Sequence, residues 1–282
     1  MKHLADFYAD LHIHTLYSDG VYSPKDIVDN SIKSGIFVIA IADHDSVSGI
    51  DEAIEYAKNR IEIIPAVELS SNIGSCDIHI LGYYIDHHSS DFLNYLEEFK
   101  KYRFIRAKKI VEKLCRAGIE IDFEQVKQIA KNSVMGRPHI AEALMETGYV
   151  RSISEAFSRY LGYHCPYYEP KKEISPKAAI EKIKKCGGIP VVAHPGMIGA
   201  DSGLLYKLIS DGILGIEVWH PEHTQRQEDD FYEIAMKHDL LMTGGSDFHG
   251  YPRGHCKIGE YGCSKSEVVY LKELACKKTA QH

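Results

Sequence analysis

Disulfide chemistry is the first thing this 282-residue chain leaves out. Its seven cysteines, at positions 76, 115, 165, 186, 256, 263 and 276, form no C-x-x-C pair, so neither a disulfide framework nor a thiolate zinc site is indicated. Long apolar runs are missing too. No stretch reaches bilayer-spanning length, and the N-terminus has no apolar segment of the secretory kind. A basic excess is absent, with 33 Lys and Arg against 40 Asp and Glu and a net charge of -7, which excludes a global field for nucleic acid. Nor does the chain contain an internal repeat or a low-complexity segment. These absences lead to the expectation of a cytoplasmic protein in a reducing compartment, with no membrane and no obligate protein partner.

What is present is histidine, sixteen of them, and a regular rhythm of short apolar runs and helical stretches. Strands are expected at Phe7–His12, Phe37–Ala42, Glu62–Glu68, Ile78–Tyr83, Ile189–Ala193, Gly215–Trp219 and Leu240–Gly244. Between them Ser23-Pro24 and Ser175-Pro176 read as helix starts, and Gly35 and Gly187-Gly188 as stops. The rhythm breaks after Asp91. Helical spacing without strands, and capping signals at Asp122/Gln125 and Ser152/Glu155, suggest an inserted helical subdomain. The expected organisation is barrel over 1–94, insertion over 95–168 and barrel again over 169–282. The class is α/β, with seven strands, mostly separated by helices, in a parallel sheet closed into, or close to, a barrel.

Metal-ligand residue types recur at the strand ends. Asp10-Leu11-His12-Ile13-His14 puts two imidazoles at i and i+2, on one face of a strand. Asp19, His44, Glu68, His79, His194, Asp247 and His249 sit at or near other strand ends. In a parallel barrel these ends share one rim, so six histidines and three carboxylates would meet in one cup. Nine nitrogen and oxygen donors are too many for one tetrahedral ion. They suit two or three divalent ions such as Mn, Fe or Zn, whose chemistry favours phosphoester hydrolysis. His3, His87, His88, His164, His238, His255 and His282 read as bystanders, and His223 as surface.

Asp-Leu-His-Ile-His-Thr, Ser-Asp-Gly, Ala-Asp-His-Asp, Ala-His-Pro-Gly and Gly-Ser-Asp-Phe-His together resemble the motifs of the PHP (polymerase and histidinol phosphatase) family, over nearly the whole chain. Gly136-Arg137-Pro138-His139-Ile140-Ala141 and Phe157–Gly162 are similar to the TrpH-type subgroup. The resemblance implies a distorted seven-stranded (β/α)7 barrel with an inserted α-helical subdomain and a trinuclear metal site. It implies that His12, His14, Glu68 and Asp247 hold one ion. Glu68 would bridge to a second ion with His79 and His194, and Asp19, His44 and His249 would hold the third. Asp10, Asp43 and Asp45 would orient imidazoles.

The subgroup also implies nucleotide substrates: nucleoside 3′,5′-bisphosphates losing the 3′-phosphate, or short 5′-phosphorylated RNA cut from its 5′ end. Relatives acting on a ribose 1,2-cyclic phosphate 5-phosphate provide the alternative. Histidinol phosphatase and a polymerase-accessory module fit less well. Arg137 and His139 are candidates for gripping phosphate, against the plain reading of a helix start at Pro138. His220 is either a phosphate contact, an acid for the leaving group, or an idle rim histidine. Ser18 is a phosphate donor or a turn residue. The segment from Glu97 to Arg116 carries eight basic against three acidic side chains, with Arg103 and Arg106 the candidates for substrate contact. Tyr160, Tyr163, Tyr167 and Tyr168 would either stack a base or pack the insertion.

Overall fold

Runs such as Val38-Ile39-Ala40-Ile41 are apolar at every position, which suits strands buried on both faces rather than half-exposed ones. The computed structural model describes residues 7–74, 76–131, 133–198 and 202–279. His3 and His282 lie outside them. The strands are β1 (Ala9–Ile13), β2 (Val38–Ile41), β3 (Glu62–Ile73), β4 (Cys76–Tyr83), β5 (Ile189–Val192), β6 (Gly215–Trp219) and β7 (Leu241–Gly244). They form a seven-stranded sheet in sequence order. The ring nearly closes where Ile13 bridges Phe248 and His14 N–H donates to the Phe248 carbonyl (3.0 Å).

One expectation of the parallel sheet fails. Strand β4 runs antiparallel to both neighbours, pairing Ser70 with His79 on one side and Leu81 with Val191 on the other. Only residues 74 and 75 separate β3 from β4, with Gly74 at φ +57, and a link that short can only make a hairpin. The reversal explains the position of His79. On a parallel strand a rim ligand follows the strand; on β4 it belongs near the beginning.

Helices α1 (Pro24–Lys33) and α2 (Ile50–Ala57) flank the first strands. Ser23 caps α1 by accepting from Asp26 N–H, and Asp26 returns the bond, with Pro24 at the first helical position. Helix α3 (Ser90–Arg116) then leaves the barrel, followed by α4 (Phe123–Ala130), α5 (Arg137–Glu146), α6 (Ile153–Ala156) and a π-helical turn at Phe157–Leu161. The chain returns through α7 (Pro176–Lys185), α8 (Ser202–Asp211), α9 (Gln225–Lys237) and α10 (Lys265–Thr279).

Two apolar cores result. Phe92 and Leu96, early in α3, join the barrel core, whereas Ala107, Ile110, Val111 and Leu114, later in the same helix, join Val126, Ile140, Leu144 and Leu161 in a second core. Each fully buried Ile or Leu stabilises its core by about 1.5–3 kcal/mol. The expected boundary at residue 95 therefore falls inside a continuous helix, and the change of partner comes a few turns later. Among the described residues no helix is long and apolar enough to cross a membrane.

Candidate metal centre and anion pocket

The rim gathers the nine expected residues. His12 and His14 come from the end of β1, Asp19 from the turn beyond it, His44 from after β2 and Glu68 from β3. His79 comes from β4, His194 from after β5, and Asp247 and His249 from after β7. Glu68 is the hub. Its Oε2 lies 2.8 Å from His44 Nδ1 and 3.4 Å from both His12 Nε2 and His14 Nε2. Its Oε1 lies 2.9 Å from His79 Nδ1 and 2.9 Å from His194 Nε2. Asp247 Oδ1 approaches His14 Nε2 at 3.0 Å, and Asp19 Oδ1 approaches His249 Nε2 at 3.2 Å.

Cations fit this cup. His12 Nε2, His14 Nε2, Asp19 Oδ1, His44 Nδ1, Glu68 Oε2, His79 Nε2 and His194 Nδ1 are buried without a hydrogen-bond partner. Leaving so many polar atoms unsatisfied would cost several kcal/mol unless something charged joins them. Donor atoms of His14, Asp19, His44 and His249 converge within 4.8 Å, as do those of His12, His14 and Glu68, and of His44, Glu68 and His79. A further convergent trio, His12, His220 and Asp247, draws in a residue that had an undecided role.

The field is strongly polarised. Burial favours neutral Glu68, Asp247 and Asp19, yet the surrounding imidazoles hold all three carboxyls well below the usual range. Burial and the neighbouring His249 push His14 down to about 4, and burial pushes His79 down to about 4. Against the same burial, Asp19 and Asp247 hold His249 up at about 10. Backbone strain is also present here. His194 (φ +28), Asp247 (φ +49) and Asp45 (φ +50) occupy the left-handed region without being glycine. Gly245 has a different reason: a Cβ there would sit 2.4 Å from the His12 amide nitrogen.

Hydrogen bonds to the far ring nitrogens separate ligands from donors. His12 Nδ1 lies 2.9 Å from Glu217 Oε1, and His249 Nδ1 lies 2.8 Å from the Asp247 carbonyl. Each Nδ1–H donates, leaving an Nε2 lone pair for a metal. His220 is reversed. Its Nδ1 accepts from the Glu222 N–H (3.1 Å), so the neutral ring carries its proton on Nε2, 3.4 Å from Asp247 Oδ2. That ring is a proton donor facing the cup.

Glu217 was missed in the sequence. It is fully buried in β6, bonded to His12 and, through Oε2, to the His194 N–H (2.7 Å). The available signal was a lone carboxylate inside the apolar strand Gly-Ile-Glu-Val-Trp. Asp10, Asp43 and Asp45, expected to orient imidazoles, brace loops instead. Asp10 accepts from Ser246 N–H (2.9 Å) and Oγ (2.6 Å), and burial raises its carboxyl to about 6. Asp43 accepts from Thr15 N–H (2.7 Å) and from Ser18 Oγ (2.6 Å). Ser18 is thus buried against Asp43. Asp45 accepts from Ser70 N–H (2.9 Å) and from Arg103 Nε (2.8 Å). His223, expected at the surface, is buried and fixes the His-Pro-Gly turn by accepting from Gly196 N–H (3.1 Å). His87 and His88 meet Asp51 in a separate, largely exposed trio.

The insertion candidates divide. His139 Nδ1 accepts from Gly136 N–H (3.0 Å), capping α5, and Nε2 contacts Ser133 Oγ (3.2 Å). Burial, with the Arg253 charge, lowers its pKa to about 4, so it is a neutral brace rather than a cationic phosphate grip. Arg103 is committed to Asp45 and Ser70. Arg137 and Arg106 are different. Arg137 lies over Phe157 and Tyr168, donates from Nη1 to the Leu161 carbonyl (3.1 Å) and reaches Asp77 with Nη2 at 3.5 Å. Arg106 donates from Nε to the Glu169 carbonyl (2.8 Å), but its buried Nη2 has no partner. Lys171, unnoticed in the sequence, reaches Asp77 at 3.0 Å. Burial lowers Lys171 to about 8 and Arg106 to about 10, and neighbouring cations add to both shifts. Tyr160 and Tyr167 pack against the second core, and Tyr168 lies under the two arginines.

Comparison with known proteins agrees with this geometry. The PHP domain family matches residues 10–211. A 5′-3′ exoribonuclease of Haemophilus influenzae is 36% identical over 89% of this chain and 93% of its own length. A 3′,5′-nucleoside bisphosphate phosphatase of Chromobacterium violaceum is 32% identical over 89% of this chain and 90% of its own. A phosphoribosyl 1,2-cyclic phosphate 1,2-diphosphodiesterase of Eggerthella lenta is 26% identical over 86% and 94%. A solved structure from Bifidobacterium adolescentis, provisionally assigned as a metal-dependent phosphoesterase, superposes with a TM-score of 0.89 at 31% identity, covering 94% of this chain and 96% of that one. Fold, cup and relatives define a metal-dependent phosphoric ester hydrolase. The chain belongs to the PHP family.

Proposed function

We propose that this enzyme hydrolyses the phosphoester at the 3′ position of small nucleotides that carry a second, 5′-phosphate. The substrate is a nucleoside 3′,5′-bisphosphate losing its 3′-phosphate, or a short 5′-phosphorylated RNA cut from its 5′ end. One observation carries this reading: Arg137 and Lys171 both reach the Asp77 carboxylate beside the cup, and Arg106, whose charge interacts with that of Arg137, keeps a buried Nη2 without a partner. Asp77 and His79 are i and i+2 on β4, so they share a face about 7 Å apart. A substrate with one phosphate in the cup and another on these cations satisfies both sites. Arg137 supplies the planar fork and Lys171 a point charge.

The cup residues are suited to two or three divalent ions, Mn, Fe or Zn. The ligand sets would be Asp19, His44 and His249; His12 and His14 with Glu68 and Asp247; and His79 and His194 with Glu68. When bound, such ions supply Lewis acidity at phosphoryl oxygens and lower the pKa of water. Glu217 holds the His12 ring so that Nε2 faces the cup. His220, with its proton on Nε2, is placed to donate to the oxygen that leaves.

The test is phosphate release by manganese-loaded protein from adenosine 3′,5′-bisphosphate, adenosine 3′-monophosphate and ribose 1,2-cyclic phosphate 5-phosphate. The bisphosphate is expected to be preferred. Equal kcat/KM for the 3′-monophosphate would sink the two-phosphate reading. Preference for the cyclic sugar phosphate would keep cup and pocket and replace the nucleotide.

A further inference from the structure

Arg253 lies four residues beyond His249, on the loop after β7, and nothing in the expected chemistry uses it. Its side chain is 7% exposed yet entirely committed. Nε donates to Glu142 Oε2 on α5 (3.0 Å), and Nη2 donates to the same oxygen. Nη1 donates to the backbone carbonyls of Asp19 (3.2 Å) and Gly20 (3.3 Å). One guanidinium thus joins the loop after β7, the insertion, and the turn that carries Asp19.

The Asp19–Gly20 turn has no other slack. Gly20 N–H donates to the Thr15 carbonyl (3.0 Å), and a Cβ on Gly20 would sit 2.6 Å from the His14 carbonyl oxygen. On its outer side the joint borders a cleft of about 430 Å³ lined by Gln125, Gln128, Lys131 and Glu142. The Arg253 bonds, together with Val134 N–H donating to the Tyr17 carbonyl (3.1 Å), tie the insertion to this turn. A shift of the Asp19 carbonyl also carries the carboxylate, whose Oδ1 must stay near His249 and whose Oδ2 lies 3.9 Å from His44 Nε2.

We propose that Arg253 is a positioning residue for the Asp19–His44–His249 metal position, and that its bond to Glu142 makes occupancy of that position depend on how the insertion is seated. The proposal rests on the metal-dependent reading of the cup and not on which ester is cleaved. Removing a partner that orients a ligand costs about 10–100-fold in metal affinity. Manganese would be titrated calorimetrically into metal-free native protein, Arg253→Met, Arg253→Lys, Glu142→Gln and the Arg253→Met/Glu142→Gln double variant, with melting curves alongside.

In Arg253→Met one manganese equivalent is expected to weaken by about 10–100-fold while the others bind as in the native protein. Excess manganese should then restore kcat, which it would not do for a merely unstable fold. Glu142→Gln should weaken the same equivalent by a smaller factor. The double variant should be no worse than Arg253→Met, because both changes break one chain of contacts. Native manganese affinity in Arg253→Met overturns the proposal, as do additive effects in the double variant. If Arg253→Met does not fold, Glu142→Gln decides by the same readout, and native affinity there is equally fatal. A native protein that takes up no manganese would instead sink the metal-dependent reading itself.

Discussion

The barrel and the insertion above it are built in different ways. In the barrel, Leu11, Ile39, Ile64, Leu81, Val191 and Ile216 belong to one continuous apolar core that runs beneath the rim. In the insertion, Leu114, Val126, Ile140, Leu144 and Leu161 form a smaller core of their own. Between the two, named polar joints recur: Arg103 to Asp45, Arg137 to Asp77, Arg253 to Glu142, and Val134 N–H to the Tyr17 carbonyl (3.1 Å), with Lys171 on the segment leading back to the barrel also on Asp77. A close-packed core deforms only at high cost, whereas the joints are a few discrete ion pairs and hydrogen bonds that can be broken singly. The metal ligands all stand on the stiff part, and the cations that would select a substrate stand mainly on the part held by polar joints. Chemistry is anchored in the barrel and recognition is delegated to the insertion.

The division predicts that damage to each part will look different, most sharply at the hub of the cup. Glu68→Gln removes the carboxylate charge shared by five imidazoles while preserving its shape. Manganese content should fall and kcat should drop by at least about a thousandfold, the loss of several kcal/mol of charge stabilisation. Elemental analysis and single-turnover phosphate release would check both. A Glu68→Gln protein with native metal content and native kcat would break the assignment of chemistry to the barrel.

A change on the other side of the divide should move a different constant. Arg137→Met keeps an apolar stem against Phe157 and Tyr168 but removes the charged fork. KM for adenosine 3′,5′-bisphosphate should rise about thirtyfold, matching about 2 kcal/mol for hydrogen bonds to a charged group. Metal content and kcat should stay within about twofold. Steady-state kinetics with metal analysis decides the point; an unchanged KM would remove Arg137 from recognition.

The same divide sets how much was legible in the sequence. Barrel ligands announce themselves because strand periodicity fixes which residues reach the rim, and the histidines recur where the apolar runs stop. The direction of β4 was not readable, because the strands were expected to stop at Glu68 and start at Ile78; only the extension of β3 to Ile73 and of β4 back to Cys76 makes the link too short for anything but a hairpin. Which carboxylate orients which imidazole was not readable, because it depends on how β6 lies beside β5 and β7. Glu217 therefore escaped notice, and Asp10, Asp43 and Asp45 were credited with its work. The contacts of the insertion are harder still. Asp77 meets Lys171 and Glu142 meets Arg253 across long stretches of chain, and no local spacing encodes such meetings. Arg137 was singled out by a motif, whereas its partnership with Arg106 and Lys171 needed the folded insertion.

The smallest expected effect is a pH dependence that separates the anion pocket from the cup without touching a metal ligand. Burial, helped by Arg103 and Arg137, holds Lys171 down at about 8, with Asp77 opposing. The sign follows from the depressed value: below pH 8 Lys171 is a cation and the pocket has its full charge, and as pH rises through 8 that charge is lost. For adenosine 3′,5′-bisphosphate, kcat/KM should therefore descend between pH 7 and 9 by on the order of fivefold, the size of one partly solvated ion pair near 1 kcal/mol. Adenosine 3′-monophosphate, with no second phosphate for the pocket, should lack this descent. Lys171→Met should remove it from the bisphosphate profile by lowering the value at pH 7 and leaving the value at pH 9 nearly unchanged. If both substrates descend alike in the native protein, and Lys171→Met descends with them, the titrating group lies in the cup and the pocket is not where the second phosphate binds.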